Sequence, residues 1–239
     1  MQPNEIGEER QVRPTAPAEI YDQHYSQEYA ALFIKHPYWA SKLQFNVAAL
    51  GRLLKPLGNW VDVCCGQGWH LAQFPHHQRT GIDLSTAQLD RARALNPGVH
   101  FVQADLADYE FPEEQRFDVV SSFWSSYSYL ADEDAIRAVV EKLIRWTAPG
   151  GTLYLELTSP EMLGEFNQSE FAVDTGSKVT LQTPDGVRWL FEDPGGLHQL
   201  ISPPVEFFSD LIEPHFATIN HSVVIRTIRQ LIAQHKRPD

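Results

Sequence analysis

The sequence predicts a doubly wound, Rossmann-like α/β fold with a mainly parallel sheet, and two observations carry that prediction. Short apolar strands alternate with amphipathic helices at close spacing from about residue 57 to residue 157, the pattern of a parallel sheet linked by crossover helices. The run Val61-Asp62-Val63-Cys64-Cys65-Gly66-Gln67-Gly68-Trp69-His70-Leu71 reads as a buried strand, a glycine turn and the opening of a helix. Gly66 and Gly68 carry no Cβ, so a ligand can come close to the backbone there. A helix N-terminus starting near Gln67 adds unpaired N–H donors, and the combination suits a nucleotide-like ligand.

Bulk properties narrow the classes. With 239 residues and 43% hydrophobic content the chain suits one sizeable domain with an appended element. No stretch approaches ~18 uninterrupted apolar residues, so no transmembrane helix is expected. A net charge of -12 opposes non-specific contact with nucleic acid or an anionic membrane. Cys64 and Cys65 are adjacent and sit in a predicted core strand, which is no disulfide framework; a reduced, cytoplasmic setting is the simpler reading. Residues 1–18, with three prolines, many charges and no secretory signal pattern, are expected to form a disordered leader.

From Glu19 the texture becomes aromatic. Tyr21, Tyr25 and Tyr29 recur at i, i+4 and i+8, one helical face of either a packing stripe or a lid over a small molecule. With a second helix, Leu43 to Leu54, this gives an N-terminal helical lid over 19–56. A strand at Trp60–Cys64 and a short helix Trp69–Phe74, stopped by Pro75, follow. Thr80 to Leu84 is a second strand. Ser85 and Gln88 fit a capping box for the next helix, which Asn96-Pro97-Gly98 ends. Val99–Val102 and Phe117–Ser122 are the third and fourth strands. Asp132–Trp146 places Ile136, Val139, Val140, Leu143 and Ile144 on one face, and Gly151–Leu157 is the fifth strand.

The alternation then breaks. Lys178–Gln182 and Val187–Phe191 flank Thr183-Pro184-Asp185-Gly186, a hairpin signal, so 158–200 reads as an antiparallel β insertion. Pro203 to Glu213 suits a last crossover helix. The tail from Phe216 to Lys236 fits either a helix or two strands. The main body would then span 57–239.

Two acids give the glycine turn its context. Asp83 ends the second strand, where a carboxylate can accept from both hydroxyls of an adenosine ribose. Asp105 closes the third strand, where it can accept from an adenine amino group. As a set, Asp62 to Gly68, Gly81-Ile82-Asp83, Ala104-Asp105-Leu106, Phe117 to Val120 and Ala148 to Gly151 resemble the successive motifs of class I S-adenosylmethionine-dependent methyltransferases, over residues 55–157. The resemblance implies S-adenosyl-L-methionine as cofactor. It puts the methionine end at Gly66, Gly68 and Asp62, the ribose at Asp83 with Leu84, and the adenine at Asp105 with Ala104 and Leu106. Ser122 and Phe123 would sit beside the cofactor, where family substrates meet the methyl group. It also implies strand order 3-2-1-4-5-7-6 with an antiparallel final hairpin, which favours strands for the tail. Cys64 departs from the pattern, standing where the family usually has a glycine.

The implied reaction is transfer of a methyl group to an N or O atom of a small, partly apolar acceptor, by a monomer or homodimer. Candidate proton acceptors are His24 and Tyr21 in the lid, Tyr127 after the fourth strand and His198 in the insertion; no metal site is expected. The Asn/Asp-Pro-Pro-Tyr/Phe box of nucleic-acid amino-methyltransferases is absent, while Phe123, Trp124, Tyr127 and Tyr129 offer an aromatic surface. Two other readings stay open: a repurposed or non-catalytic S-adenosylmethionine-binding protein, and an NAD-dependent oxidoreductase, although the turn lacks a full G-x-G-x-x-G.

Overall fold

A computed structural model describes residues 20–158, 166–181, 188–193, 196–215 and 220–225; the expected leader and the hairpin turn at 183–186 lie outside these. The chain enters through α1 (Gln23–Tyr29), capped by the Asp22 carboxylate on the Tyr25 N–H at 2.8 Å. A π-helical segment, Ala30–Ile34, and α2 (Pro37–Leu53) follow. The π segment inserts a residue into the helical ladder, and both Phe33 and Ile34 are buried as a result.

The main sheet begins with β1 (Asn59–Val63), α3 (Trp69–Ala72), β2 (Gln78–Asp83), α4 (Thr86–Leu95) and β3 (His100–Gln103). It continues with β4 (Phe117–Ser122), α5 (Glu133–Trp146) and β5 (Thr147–Leu157). Next come α6 (Glu170–Thr175) and an antiparallel trio, β6 (Lys178–Leu181), β7 (Arg188–Asp193) and β8 (Gly196–Ile201). The chain returns through α7 (Val205–Ile212) to β9 (Asn220–Ile225). Strand order is β3-β2-β1-β4-β5-β9 in one sheet and β6-β7-β8 in the other.

Five strands thus run in the expected order 3-2-1-4-5, all parallel. The far edge differs from the order the resemblance implies. β9 lies directly on β5 and runs parallel to it, Thr152 opposite Asn220 through Leu157 opposite Ile225. Helix α7 has already carried the chain back across the sheet, so the next strand enters in the same direction. The expected antiparallel neighbour of β5 is therefore not found among the described residues, and 226–239 lie outside them.

Two smaller expectations also shift. Ser85 caps α4 by accepting from the Gln88 backbone N–H at 3.2 Å, but the Gln88 side chain does not reach back; its Oε1 is buried without a partner. The insertion contains a third strand, β8, that periodicity did not reveal.

Three buried clusters hold the molecule together. One, from Val61 and Val63 to Leu143 and Phe208, lies between the parallel sheet and helices α5 and α7. A second, with Leu50, Trp60, Leu71 and Tyr154, fills the space under α2 and α3. The third joins Ile20, Tyr25, Phe33 and Trp39 of the N-terminal segment to Phe166, Phe171, Val179 and Leu200 of the insertion. The N-terminal helices and the insertion therefore share one core over the carboxyl ends of the strands. Among the described residues, no helix is long and apolar enough to cross a membrane.

Candidate active site

The carboxyl ends of β1, β2, β4 and β5 open into a cavity of about 440 Å³, the place where open parallel sheets receive ligands. Its floor is the turn after β1. Cys64, Gly66 and Gly68 all have left-handed backbone, with φ of 51°, 52° and 69°. Nothing lies within 4 Å of where a Gly66 Cβ would stand, so that face of the turn is open to a ligand. A Cβ on Gly68 would meet the Asn96 amide at 2.8 Å. Gly68 serves the turn from behind and does not line the cavity. Cys64, at the family's glycine position, holds a conformation a side chain adopts at a cost of about 1 kcal/mol.

Asp83 ties this floor together. Its carboxylate accepts the Gly66 N–H at 2.7 Å and the Ser85 N–H at 2.9 Å, and it faces the cavity with Leu84. Asp105 accepts the Ala107 N–H at 2.9 Å and lines the same end with Ala104, Leu106 and Gln88. Asp62 is 1% exposed, accepts from the Ser121 hydroxyl at 2.6 Å, and is pushed up to about 8 by burial. A carboxylic acid so placed ionises readily only when a cation arrives beside it. An apolar slot with two carboxylates, open turn backbone and a cation-seeking acid fits S-adenosylmethionine.

The opposite end is built from side chains. In the sheet register Val63, Ser122 and Leu155 form one row, so Cys64, Phe123 and Glu156 come next, side by side along the rim. Glu156 pairs with Lys42 of α2, both under a tenth exposed, and accepts from Asn46 Nδ2 at 3.0 Å. Tyr154 donates to Asn46 Oδ1 at 3.2 Å, which orients that amide. The Lys42 ammonium stands 3.5 Å from the centre of the Trp124 ring. Burial lowers its pKa, and Glu156 opposes that shift. His70 stacks on Phe123 at 3.9 Å; burial and then Lys42 hold it down at about 3, so it is neutral.

The N-terminal helices close the top. Gln67 Nε2 donates to the Ser26 carbonyl at 2.7 Å, and the Ser85 hydroxyl to the Tyr21 carbonyl at 2.6 Å. Those two bonds clip α1 to the turn and to the start of α4. The Tyr21 and Tyr129 hydroxyls bond at 2.8 Å over the cavity, while Tyr25 turns away and donates to Asp193 at 2.6 Å.

The candidate proton acceptors fare unequally. His24 lies on the exposed face of α1, away from the cavity, because the Tyr21-Tyr25-Tyr29 face is the one that turns inward. His198 is buried behind the wall, its Nε2 3.0 Å from Asp193. Neither reaches an acceptor in the cavity. Tyr21 and Tyr127 do line it, but burial raises both, so they remain protonated donors near neutral pH rather than bases. Of the cofactor candidates after β4, Phe123 faces the cavity and Ser122 does not. Lys42, Asn46, His70 and Glu156 escaped sequence reasoning. Glu156 left one signal, a lone charge inside the apolar strand Leu153-Tyr154-Leu155-Glu156-Leu157, which must be paired if buried.

Residues 61–151 match the family described as a methyltransferase domain. A dTDP-3-amino-3,4,6-trideoxy-alpha-D-glucopyranose N,N-dimethyltransferase of Streptomyces venezuelae is 28% identical over 74% of this chain and 75% of that enzyme. A trans-aconitate 2-methyltransferase of Acidovorax sp. (strain JS42) is 37% identical over 41% of this chain and 37% of that enzyme. The chain spans about half the length of other curated relatives it matches. The fold is similar to the S-adenosylmethionine-bound structure of an amino pentose methyltransferase, CalS10, from Micromonospora echinaspora. Its TM-score is 0.54 at 21% identity, over 81% of this chain and 88% of that one.

Proposed function

We propose that this chain, whose residues 61–151 match a methyltransferase domain, uses S-adenosylmethionine to methylate the nitrogen of a small, partly apolar amine. One observation carries the choice of nitrogen. Asp62, Asp83, Asp105 and Glu156 line the cavity, and Lys42 is the sole lysine or arginine among its described lining residues, its charge already paired with Glu156. Such a wall favours an acceptor that becomes cationic as its new N–C bond forms, and disfavours a carboxylate. The relative from Streptomyces venezuelae is named as an N,N-dimethyltransferase; trans-aconitate, a tricarboxylate, is the acceptor in the other relative's name.

The bound cofactor supplies an electrophilic methyl group on a sulfonium. Asp83 would hold the ribose, Asp105 with Leu106 and Gln88 the adenine edge, and Asp62 with the Gly66 turn the amino-acid end. Tyr21, Tyr29 and Tyr129 would close the roof and exclude water, leaving the acceptor between Phe123, Trp124 and Glu156. A thermal-shift series tests the cofactor assignment: S-adenosylhomocysteine should stabilise the protein and NAD should not. Release of S-adenosylhomocysteine with matched amines, alcohols and carboxylates tests the acceptor. Turnover confined to carboxylates would overturn the amine reading.

A further inference from the structure

We infer that the acceptor is an aralkylamine, a nitrogen on a short carbon arm that ends in an aromatic ring. That ring is received jointly by the β6–β7–β8 insertion and the N-terminal segment. The inference rests on the amine reading above for the nitrogen and adds the chemistry of the acceptor's other end.

The aromatic rings of these two regions form a closed circuit. From Tyr21 it passes to Tyr29 and then Phe33, with ring centres 6.3 and 5.0 Å apart. It crosses to the insertion at Phe171, 5.2 Å from Phe33, and continues through Phe166, Phe191 and His198 at 5.8, 5.7 and 5.5 Å. Tyr129 closes it, 5.9 Å from both His198 and Tyr21. All of these rings line the cavity except Phe171 and His198.

Strand register makes the insertion's share of the wall apolar. Val179 lies opposite Phe191, and Phe191 opposite His198. The three side chains therefore share one face of the small sheet, and Leu200, two positions beyond His198, joins them. Val179, Phe191 and Leu200 line the cavity. The polar groups of that face are turned to one another: His198 Nε2 stands 3.0 Å from Asp193, which also accepts from Tyr25 at 2.6 Å. The Tyr21 and Tyr129 hydroxyls are likewise bonded together.

Charge divides the cavity in the same way. Its described charged lining, Lys42, Asp62, Asp83, Asp105 and Glu156, comes from α2 and the strand ends of the main sheet, with none from the insertion. A phosphate or a polyol at the insertion end would give up water without a charged partner among the described residues. An aromatic ring gains contacts with the rings around it. Trp124, beside which the nitrogen would sit, is 6.4 Å ring to ring from Phe33, so a short carbon arm joins the two ends.

The probe is benzylamine. Methylamine lacks its ring, cyclohexylmethylamine has a saturated one, O-phosphoethanolamine carries a phosphate, and benzoate and acetate serve as the anionic pair. Quenching of tryptophan fluorescence in the S-adenosylhomocysteine complex reads benzylamine and benzoate, since Trp39 and Trp124 line the cavity; their displacement reads the others. Benzylamine should bind roughly 10- to 100-fold more tightly than methylamine and several-fold more tightly than cyclohexylmethylamine. O-phosphoethanolamine should bind no more tightly than methylamine. Val179→Phe fills space in front of the insertion and should lower benzylamine affinity roughly 10-fold, with methylamine and S-adenosylhomocysteine within about twofold. Phe191→Leu keeps the wall apolar but removes a ring, and should cost benzylamine about threefold even if the first variant folds poorly. Benzylamine no tighter than methylamine, tighter cyclohexylmethylamine, or unchanged benzylamine affinity in both folded variants overturns the inference. Benzoate bound more tightly than both acetate and benzylamine would support the ring site and overturn the amine reading.

Discussion

At the β1–β2 end of the cavity the wall is backbone and acids delivered by consecutive strands, whereas at the β4–β5 end it is side chains converging from distant parts of the chain. Gly66, Asp83 and Asp105 face the cavity because each lies within three residues of the carboxyl end of a strand. Lys42, Trp124 and Glu156 meet only once α2 has been laid over β4 and β5. The first end needs little beyond the parallel sheet. The second depends on a shared core between the N-terminal helices and the insertion, through Phe33, Trp39, Phe171 and Val179. One end can stay constant while the other changes its guest.

That contrast can be broken most forcefully at the acceptor end. Lys42→Met leaves Glu156 buried beside a thioether and should cost about 3–5 kcal/mol, measured by urea denaturation; adding Glu156→Leu should return most of that stability. A single variant as stable as wild type would mean that the pair is not buried in solution. At the cofactor end, Asp83→Ala removes the acceptor for the Gly66 and Ser85 amides along with the ribose contact. Affinity for S-adenosylhomocysteine should fall about 100-fold, equivalent to about 2.7 kcal/mol, by calorimetry, with benzylamine quenching still detectable at saturating ligand.

Asp62 offers a subtler probe. Its folded pKa of about 8 lies above the ordinary 3.8, so the empty protein binds a proton that the unfolded chain does not. Stability therefore falls as pH rises from about 4 to 8 through this group, and Asp62→Asn should flatten that slope in melts at pH 5, 7 and 9. When a cationic amino group docks, Asp62 should ionise. Titrations at pH 7 in buffers of different ionisation enthalpy should then show proton release in wild type that Asp62→Asn lacks. The smallest effect is expected at Cys64. Cys64→Gly relieves left-handed backbone but loses a partly buried side chain, so stability should move by less than about 1 kcal/mol, with cofactor affinity unchanged.

The same contrast explains what could be read in advance. The parallel sheet and the roles open to Asp83 and Asp105 follow from strand–turn–helix patterning, which is local, while the order 3-2-1-4-5 and the role of Asp62 came with the family resemblance. Glu156 was visible as an odd charge in an apolar strand, yet its partner lies 114 positions earlier in a helix, and no periodicity connects them. His24 and His198 were candidates, and His70 was not, because titratable character is a residue property while access to a cavity is a tertiary one. The place of β9 directly beside β5 could not be read for a related reason: alternation of residues describes a strand but not which neighbour it pairs with.

The account turns on the acceptor atom. Incubating the protein with S-adenosyl-L-methionine and an equimolar mixture of benzylamine, benzyl alcohol and benzoate, then resolving products by mass spectrometry, tests it most directly. The expected result is N-methylated benzylamine, matched by S-adenosylhomocysteine. Methyl benzoate or benzyl methyl ether as the main product would contradict it.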